Sequence, residues 1–464
     1  MNETPHYSYK IAGYLFFATL AFFAILYWKE RMLFAQSADA SFHLLNQEQF
    51  YIQYGRIGAI PSQLLPWLLI KLNTPMQWVL ISYSVSFIIL YFGVFLLTTH
   101  WMRSYSAGFL LIFLLVLGNK QLFYHPTSEV TQALAFSTLF IGWLYHNQKI
   151  NPHRPRLIRT ATGLFFIALS ISTHPAVFPV LIFMLIHHAI HYRRYLRWPT
   201  YVYLSGMVLF FVIKLLITND FVIGETHFRG LYSLEEFFYV IPDVRGLLFY
   251  FTQIGDLYFV SFSILLVTLI WLSLRTHKKE LLFYSGFLAL YFVAVAYLFP
   301  HSSTNMQMEE IYQPFNTILL IPFIYIVVKP TRTTYVLKLS LYLIVFIASI
   351  EKIEFSHKIF QRRMRYLSTK IDQIDTKKTI ISPFNLDANT LKEDWALAQE
   401  TLLLTSYRAE TTPKTLLISN PANSGKLTAH ANSLFLYRDK QKQLHSTKLN
   451  PSYFRLENQQ YRTY

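Results

Sequence analysis

Long blocks of apolar residues, separated by short polar connections, fill the chain as far as about residue 350. The apolar residues stand next to one another instead of recurring every third or fourth position, which is typical of helices inside a lipid bilayer. A perpendicular helix needs about 20 such residues, so the shorter blocks must be extended by flanking polar residues or be re-entrant. The sequence predicts an α-helical polytopic membrane protein with about eleven transmembrane helices, at 11–28, 78–98, 107–117, 130–145, 160–172, 176–191, 201–218, 257–274, 281–299, 315–328 and 335–350.

The charge pattern predicts the orientation of these helices. Basic residues cluster at 149–159, 193–197, 275–279 and 329–338, and all four clusters fall on one side of the membrane in an alternating count. The positive-inside rule makes that side cytoplasmic, so we expect a cytoplasmic amino terminus in a bacterial inner (plasma) membrane. Lys29 and Arg31 lie on the other side but are outnumbered. The first block lacks a small-residue cleavage site, which favours a retained span over a signal peptide.

The composition excludes several classes of function. There is no cysteine, so disulfides, thiolate nucleophiles and thiolate metal sites play no part. The formal charge of +16 comes largely from basic residues in short connections that orient a membrane protein, and we expect no nucleic-acid partner. A phosphate-binding glycine loop and a zinc-type His-Glu-x-x-His motif are both absent, so cytoplasmic ATP is not expected as a fuel.

Residues 351–464 have a different, polar composition. We divide the chain into a transmembrane domain, 1–350, and a small mixed α/β extracytoplasmic domain, 351–464. Helical patterns cover 351–375 and 391–404, the first of them basic enough to lie on the membrane surface, and the runs 416–418 and 434–437 predict strands. The alternative is a loosely ordered tail.

Asp39 is the first candidate for chemistry, since it follows the first apolar block on the outer side, in a loop that also contains Arg56. A carboxylate there could deprotonate an acceptor hydroxyl as that hydroxyl attacks a lipid-linked sugar. The alternative is a helix N-cap.

Polar breaks between apolar blocks give three more candidates for substrate binding. His125 and Glu129 interrupt the sequence before the fourth block, and Glu129 could face a cavity or simply favour the start of a helix. His174 precedes Pro175 in a tight turn at the outer interface, where it is either a satisfied histidine or a functional one.

Two later connections carry the remaining candidates. His227, Arg229 and Arg245 could bind a lipid phosphate, because guanidinium matches phosphate oxygens, or the arginines could pair with neighbouring carboxylates. Glu309 and Glu310, preceded by His301, could bind an acceptor, pair with an arginine or hold a divalent cation. No Asp-x-Asp element accompanies them, so we expect neither a metal site nor another cofactor.

This arrangement resembles the GT-C class of integral membrane glycosyltransferases over about residues 11–328. The resemblance rests on Asp39 in the first outer loop, on the breaks at 125–129 and 173–175, and on residues 309–315, which look like the Glu-Arg-Tyr-x-x-Pro motif of bacterial members. Two departures are Ala40 in place of a second acidic residue and the lack of the motif's arginine.

The resemblance implies inverting transfer of a sugar from a polyprenyl-phosphate donor to a hydroxyl of a glycan, lipid or protein acceptor on the extracytoplasmic face. Asp39 would be the general base, and Glu309 or Glu310 would lie near the donor or acceptor.

Two other functions remain open. A polysaccharide polymerase or ligase would depend on His227, Arg229 and Arg245, and a transporter of lipid-linked sugars would need charges inside several spans, where Lys214 is the main example.

Overall fold

The computed structural model of the protein describes residues 4–146, 156–192, 198–218, 245–275, 277–299, 304–328, 332–387, 389–391, 393–408, 413–419, 433–437, 440–445, 448–457 and 459–464. Most of these residues are helical. The helices are α1 (Thr4–Leu26), α2 (Trp28–Met32), α3 (Ala35–Gln47), α4 (Ile60–Lys71), α5 (Met76–Leu96), α6 (Tyr105–Val116), α7 (Glu129–His146), α8 (Arg156–Thr173), α9 (Phe178–His191), α10 (Trp198–Thr218), α11 (Arg245–Thr252), α12 (Phe259–Leu274), α13 (Lys278–Leu298), α14 (Asn305–Pro322), α15 (Arg332–Asp372) and α16 (Leu397–Ser406).

Each apolar block of the sequence lies on one of these helices, and the helical class is confirmed. Five helical segments of the described chain are long and apolar enough to cross a membrane, and four more apolar helices are shorter. This fits a multi-pass membrane protein, whereas the larger number of about eleven spans stays a prediction. The five segments are Tyr9–Leu26, Met76–Trp101, Trp198–Ile217, Lys278–Leu298 and Asn305–Val327, and the shorter helices are Tyr105–Val116, Leu157–Thr173, Pro175–His191 and Phe259–Leu274.

Burial separates a central helix from peripheral ones. The apolar part of Asn305–Val327 is 83% buried, whereas that of Trp198–Ile217 is 17% buried. Large apolar side chains such as Leu216 and Leu282 are 74% and 78% exposed, which is unfavourable in water and favourable in lipid. The α14 helix therefore lies inside the bundle, and α10 and α13 present apolar faces to the outside.

One helix connects the bundle to the carboxyl-terminal region. The α15 helix has 41 residues, and at about 1.5 Å per residue it is roughly twice as long as a bilayer core is thick. The predicted domain boundary after residue 350 lies within this helix, because no glycine or proline interrupts the chain where its composition changes from apolar to basic. Residues 351–372 thus continue α15 and do not form a separate helix, whereas their place on the membrane surface stays a prediction.

The carboxyl-terminal region contains a small sheet, as predicted. Strand β1 (Lys378–Ile381) pairs in parallel with β2 (Thr415–Ile418) and with β5 (Arg462–Thr463). The α16 helix lies between β1 and β2 in the chain and supplies the crossover that parallel strands need. Strands β3 (Ser433–Tyr437) and β4 (Lys440–His445) form an antiparallel pair. The described part of this region is a folded domain and not a loose tail.

This domain is joined to the transmembrane part through buried contacts. Glu400 of α16, which is fully buried, accepts a hydrogen bond of 2.8 Å from the backbone N–H of Ala35 at the start of α3. The same carboxylate pairs with Arg363 of α15 at 2.9 Å. One hydrophobic core runs from α1 to the strands of the domain, with Phe16 and Leu434 among its members. The two parts of the chain therefore form one packed body.

The predicted orientation can be tested with single cysteines, because the chain has none of its own. Phe384 in the carboxyl-terminal domain is 89% exposed, and Lys279 at the start of α13 is also exposed. We expect a membrane-impermeant maleimide to label Phe384→Cys in intact spheroplasts and Lys279→Cys only after permeabilisation, with the unmodified protein as control. If only Lys279→Cys is labelled in intact spheroplasts, the orientation is the opposite of the predicted one.

The buried ion pair predicts a large loss of stability in one variant. Arg363→Met leaves Glu400 buried without its cation, which should cost about 3–5 kcal/mol. Arg408→Met is the matched control, because its pair with the exposed Asp372 is worth about 0–1 kcal/mol. The midpoint of unfolding in mild detergent, followed by tryptophan fluorescence, measures both effects. Equal midpoints for the two variants would contradict this role of Arg363.

Candidate functional site at Asp39

Asp39 lies inside helix α3 with its side chain buried. The helix begins at Ala35 after the N-cap residue Phe34, so Asp39 is more than one turn into the helix and only 1% exposed. A residue at that position cannot cap the first N–H groups. The N-cap interpretation of Asp39 is therefore wrong.

Four side chains donate hydrogen bonds to the Asp39 carboxylate. Oδ2 accepts from the Tyr51 hydroxyl at 2.8 Å and from Gln53 Nε2 at 3.0 Å. Oδ1 accepts from the Tyr437 hydroxyl at 2.8 Å and from Gln399 Nε2 at 3.1 Å. The first two donors belong to the loop that follows α3, and the other two belong to the carboxyl-terminal domain. Each oxygen of the carboxylate thus faces a different part of the protein.

His43 is a fifth neighbour, one helical turn after Asp39. Its Nε2 atom lies 3.4 Å from Asp39 Oδ1 and 3.2 Å from the Tyr437 hydroxyl, and its ring stacks on Tyr51. Burial acts to raise the pKa of Asp39, but the hydrogen bond and charge of His43, together with the bonds from Tyr437 and Tyr51, hold that pKa below its ordinary value. Asp39 is therefore a buried anion at neutral pH.

The two donors to Oδ2 also line a small polar cavity between α3, α4, α5 and α7. Asp39 lies immediately behind this lining and reaches the cavity through Tyr51 and Gln53. Buried amides and hydroxyls dominate the wall, which suits a ligand with hydroxyl groups. The cavity is lined by Gln36, Ala40, Tyr51, Gln53, Ala59, Ser62, Gln63, Tyr83, Phe87, Thr127, Glu129 and Gln132.

Arg56 and Glu129, both predicted as substrate-binding residues, meet beside this cavity. Arg56 Nη1 lies 2.8 Å from Glu129 Oε2, and Gln36 Nε2 donates to the same oxygen at 3.3 Å. Arg56 Nε is buried and has no hydrogen-bond partner among the described residues. Glu129 is also the first residue of α7, where a negative charge favours the helix. The structure is therefore compatible with both interpretations of Glu129.

Two of the four predicted histidines, His174 and His125, occupy different environments. His174 accepts a hydrogen bond from the backbone N–H of Ala176 at its Nδ1 atom and caps the turn Pro175–Val177. Burial and then the charges of Arg56 and Lys214 lower its pKa, so it is neutral and satisfied. His125 is 2% exposed, and its Nδ1 atom has no partner among the described residues.

The adjacent carboxylates Glu309 and Glu310 point to different partners. Glu309 Oε2 accepts three backbone N–H groups, from Lys120, Gln121 and Leu122, at 2.9, 2.8 and 3.0 Å. Glu310 accepts from the Ser128 hydroxyl at 2.5 Å. Glu309 thus anchors the connection between α6 and α7. Within the described ranges, no group of three His, Asp or Glu side chains is placed to hold a metal ion.

Four predicted residues are not placed by the structure. His227, Arg229 and His301 lie outside the described residues. Arg245 begins helix α11, but its side chain is outside the described part. Their predicted roles in phosphate or acceptor binding stay predictions.

Sequence reasoning missed most of the contacts of Asp39. His43 could have been found, because residues four apart on a helix are neighbours. Nothing in the sequence links Tyr437 or Gln399 to Asp39, which lies 398 and 360 positions away from them in the chain. Only the folded carboxyl-terminal domain brings them to Asp39.

The lowered pKa of Asp39 predicts a pH-dependent contribution to stability. A carboxylate whose folded pKa lies below its ordinary value of 3.8 stabilises the folded protein above that value, and this contribution is lost as the pH falls through the folded pKa. The difference in unfolding midpoint between the wild type and Asp39→Asn should therefore be largest near neutral pH and shrink in acid. Melting curves from pH 7 to pH 3 measure it, and a constant difference would contradict the argument.

No protein-family model, curated protein or solved structure matches this chain. The resemblance to membrane glycosyltransferases therefore stays a prediction that rests on the sequence alone.

Proposed function

We propose that the protein is a membrane glycosyltransferase that moves a sugar from a polyprenyl-phosphate donor to a hydroxyl acceptor on the extracytoplasmic face. The observation that carries the proposal is the buried Asp39 carboxylate, which follows the first apolar helix and adjoins a polar cavity through Tyr51 and Gln53. Burial disfavours a charged group, so the buried Asp39 anion is costly and calls for a functional explanation. A role as proton acceptor for a bound hydroxyl supplies one.

The two oxygens of Asp39 have separate tasks in this proposal. Tyr437 and Gln399 hold Oδ1 from the carboxyl-terminal domain and fix the direction of the carboxylate. Oδ2 lies on the cavity side, where Gln53 is the longer of its two hydrogen bonds. An acceptor hydroxyl that enters the cavity reaches Oδ2 by taking the place of the Gln53 amide. The base is thereby positioned before the substrate arrives.

The reaction is a single displacement. The acceptor oxygen forms a bond to the anomeric carbon and gives its proton to Asp39 Oδ2, while the bond from that carbon to the phosphate oxygen breaks and the phosphate leaves with the electron pair. General base catalysis supplies about 100- to 10,000-fold of the rate. Because phosphate is a good leaving group, a carboxylate of low pKa is sufficient as the base. Arg56, which pairs with Glu129 of the cavity wall, would stabilise the developing phosphate charge.

The proposed partners follow from this chemistry. The donor is a polyprenyl-phosphate sugar dissolved in the membrane, and the acceptor is a glycan, lipid or protein hydroxyl of the cell envelope. We place the protein in a bacterial inner membrane with the carboxyl-terminal domain outside, where that domain completes the site. The mechanism uses no nucleic acid and needs no cofactor, although a divalent cation could assist phosphate departure.

Replacement of the base tests the proposal. A deletion strain complemented with Asp39→Asn should lack the transferred sugar, which mass spectrometry of envelope glycans and glycolipids detects, because the amide cannot accept the proton. Asp256→Asn is the matched control, since Asp256 pairs with Lys120, is 58% exposed and makes no contact with Asp39. At equal membrane levels, the control should restore the sugar. If Asp39→Asn restores the sugar, Asp39 is not the general base, and a polymerase, ligase or transporter becomes the favoured function.

The carboxyl-terminal contribution has its own test. Tyr437→Phe removes the hydrogen bond to Oδ1 and keeps the ring that stacks on Trp395. We expect about a tenfold loss of transfer, which corresponds to one hydrogen bond to a charged group, and a change in the pH profile. Tyr453→Phe is the control, because the Tyr453 hydroxyl also reaches the transmembrane part, at the Thr74 carbonyl, but does not touch Asp39. Equal rates in both variants would remove Tyr437 from the mechanism.

A further inference from the structure

A second cavity, of about 40 Å³, lies between α1, α2, α5 and the connection from α6 to α7. It is separate from the Asp39 cavity and shares no lining residue with it. Arg31, His125 and Asn119 contribute polar groups to its wall, and Leu20, Ile88 and Leu115 contribute apolar ones. The volume exceeds the 10–15 Å³ or so that one water molecule needs. A small polar group can therefore enter it.

Arg31 is a buried cation without a carboxylate partner among the described residues. Its side chain is 1% exposed and donates to the Ser84 hydroxyl at 2.8 Å, to the Ser84 carbonyl at 3.2 Å and to the Phe123 carbonyl. These acceptors are neutral and use three of the five N–H groups that a guanidinium carries. Burial lowers the pKa of Arg31 to about 10, so the group is still charged at neutral pH.

Two other buried groups at this cavity lack partners in the described part of the chain. His125 Nδ1 has none, and the side-chain oxygen of Asn119 has none, although its amide donates to the Leu114 carbonyl at 3.0 Å. Both residues are buried, at 2% and 5% exposure. A buried polar group without a hydrogen-bond partner is unfavourable, so a ligand that satisfies both groups is favoured.

We infer that this cavity binds a phosphate group. Its oxygens would accept from the free N–H groups of Arg31 and from His125, and a protonated oxygen or neighbouring hydroxyl of the ligand would donate to Asn119. Water could satisfy the histidine and the asparagine, but it would leave Arg31, whose neighbours are neutral acceptors and the face of the Phe123 ring, without an anionic partner. The apolar side chains of Leu20, Ile88 and Leu115 form part of the remaining wall.

This inference does not depend on the proposed glycosyltransferase activity, because it concerns binding alone. The test uses the full-length protein in a neutral detergent and two probes, inorganic phosphate and farnesyl phosphate. Farnesol and sodium chloride at matched ionic strength are the controls for the chain and for salt. The readouts are the unfolding temperature and equilibrium binding of the labelled probes, neither of which involves sugar transfer.

We expect saturable binding of at least one probe to the wild type, with no binding to Arg31→Met and about tenfold weaker binding to His125→Phe. Arg275→Met, which removes an exposed arginine at the end of α12, should bind like the wild type. Preference for farnesyl phosphate would identify a lipid-borne phosphate, and equal binding would identify a free one.

The inference is overturned if neither probe saturates, if chloride or farnesol acts equally well, or if both cavity variants bind like the wild type. Arg31→Met also removes contacts to Ser84 and Phe123 and could fail to fold. In that case His125→Phe decides the question, because it keeps every contact of Arg31 and removes only a cavity donor. A loss of sugar transfer in Asp39→Asn with intact phosphate binding would separate the two proposals.

Discussion

The buried carboxylate of Glu400 fixes the relation between the transmembrane part and the carboxyl-terminal domain. It pairs with Arg363 on α15 and accepts the backbone N–H of Ala35, where α3 begins. Ala35 has a φ of 41°, an unfavourable conformation for a residue with a side chain, and this hydrogen bond helps to hold it. Because removing two charges from water is costly, the pair contributes more to the unique position of α3 than to net stability. Asp39 stands on that helix, so its geometry depends on Glu400.

The same arrangement makes the candidate site a joint product of two parts of the chain. The loop after α3 supplies Tyr51 and Gln53 to one oxygen of Asp39, and the domain supplies Gln399 and Tyr437 to the other. Removing the domain would leave Oδ2 with both of its hydrogen bonds and would take the Gln399 and Tyr437 donors away from Oδ1. Compensation of the buried charge therefore requires the whole chain, although Asp39 is close to the amino terminus.

The fold could be predicted where the physics is local, and the site could not. Continuous apolar blocks gave the helices, and short apolar runs gave the strands at Leu416 and Leu434, because hydrophobic pattern and length determine both. The continuity of α15 was missed, since its composition changes from apolar to basic while no glycine or proline ends the helix. Asp39, Arg56 and Glu129 were each identified from the sequence, but the contacts that they make, including the ion pair between Arg56 and Glu129, follow from tertiary packing. Glu309 accepts three backbone N–H groups, a set of contacts that no sequence pattern reveals, and its predicted role near the substrate stays a prediction.

The Asp39 cavity adjoins a buried anion, the Arg31 cavity is lined by a buried cation, and helices α5 and α7 contribute residues to the walls of both. On α5, Phe87 lines the Asp39 cavity and its neighbour Ile88 lines the Arg31 cavity. On α7, Gln132 lines the Asp39 cavity and its neighbour Thr131 lines the Arg31 cavity. Ser84 of α5 holds the Arg31 guanidinium. A shift of α5 or of the start of α7 must therefore alter both cavities together, because packed interiors transmit displacement instead of absorbing it. An anion bound at Arg31 would compensate the cation that the protein leaves unpaired, just as Tyr51, Gln53, Gln399 and Tyr437 already compensate Asp39.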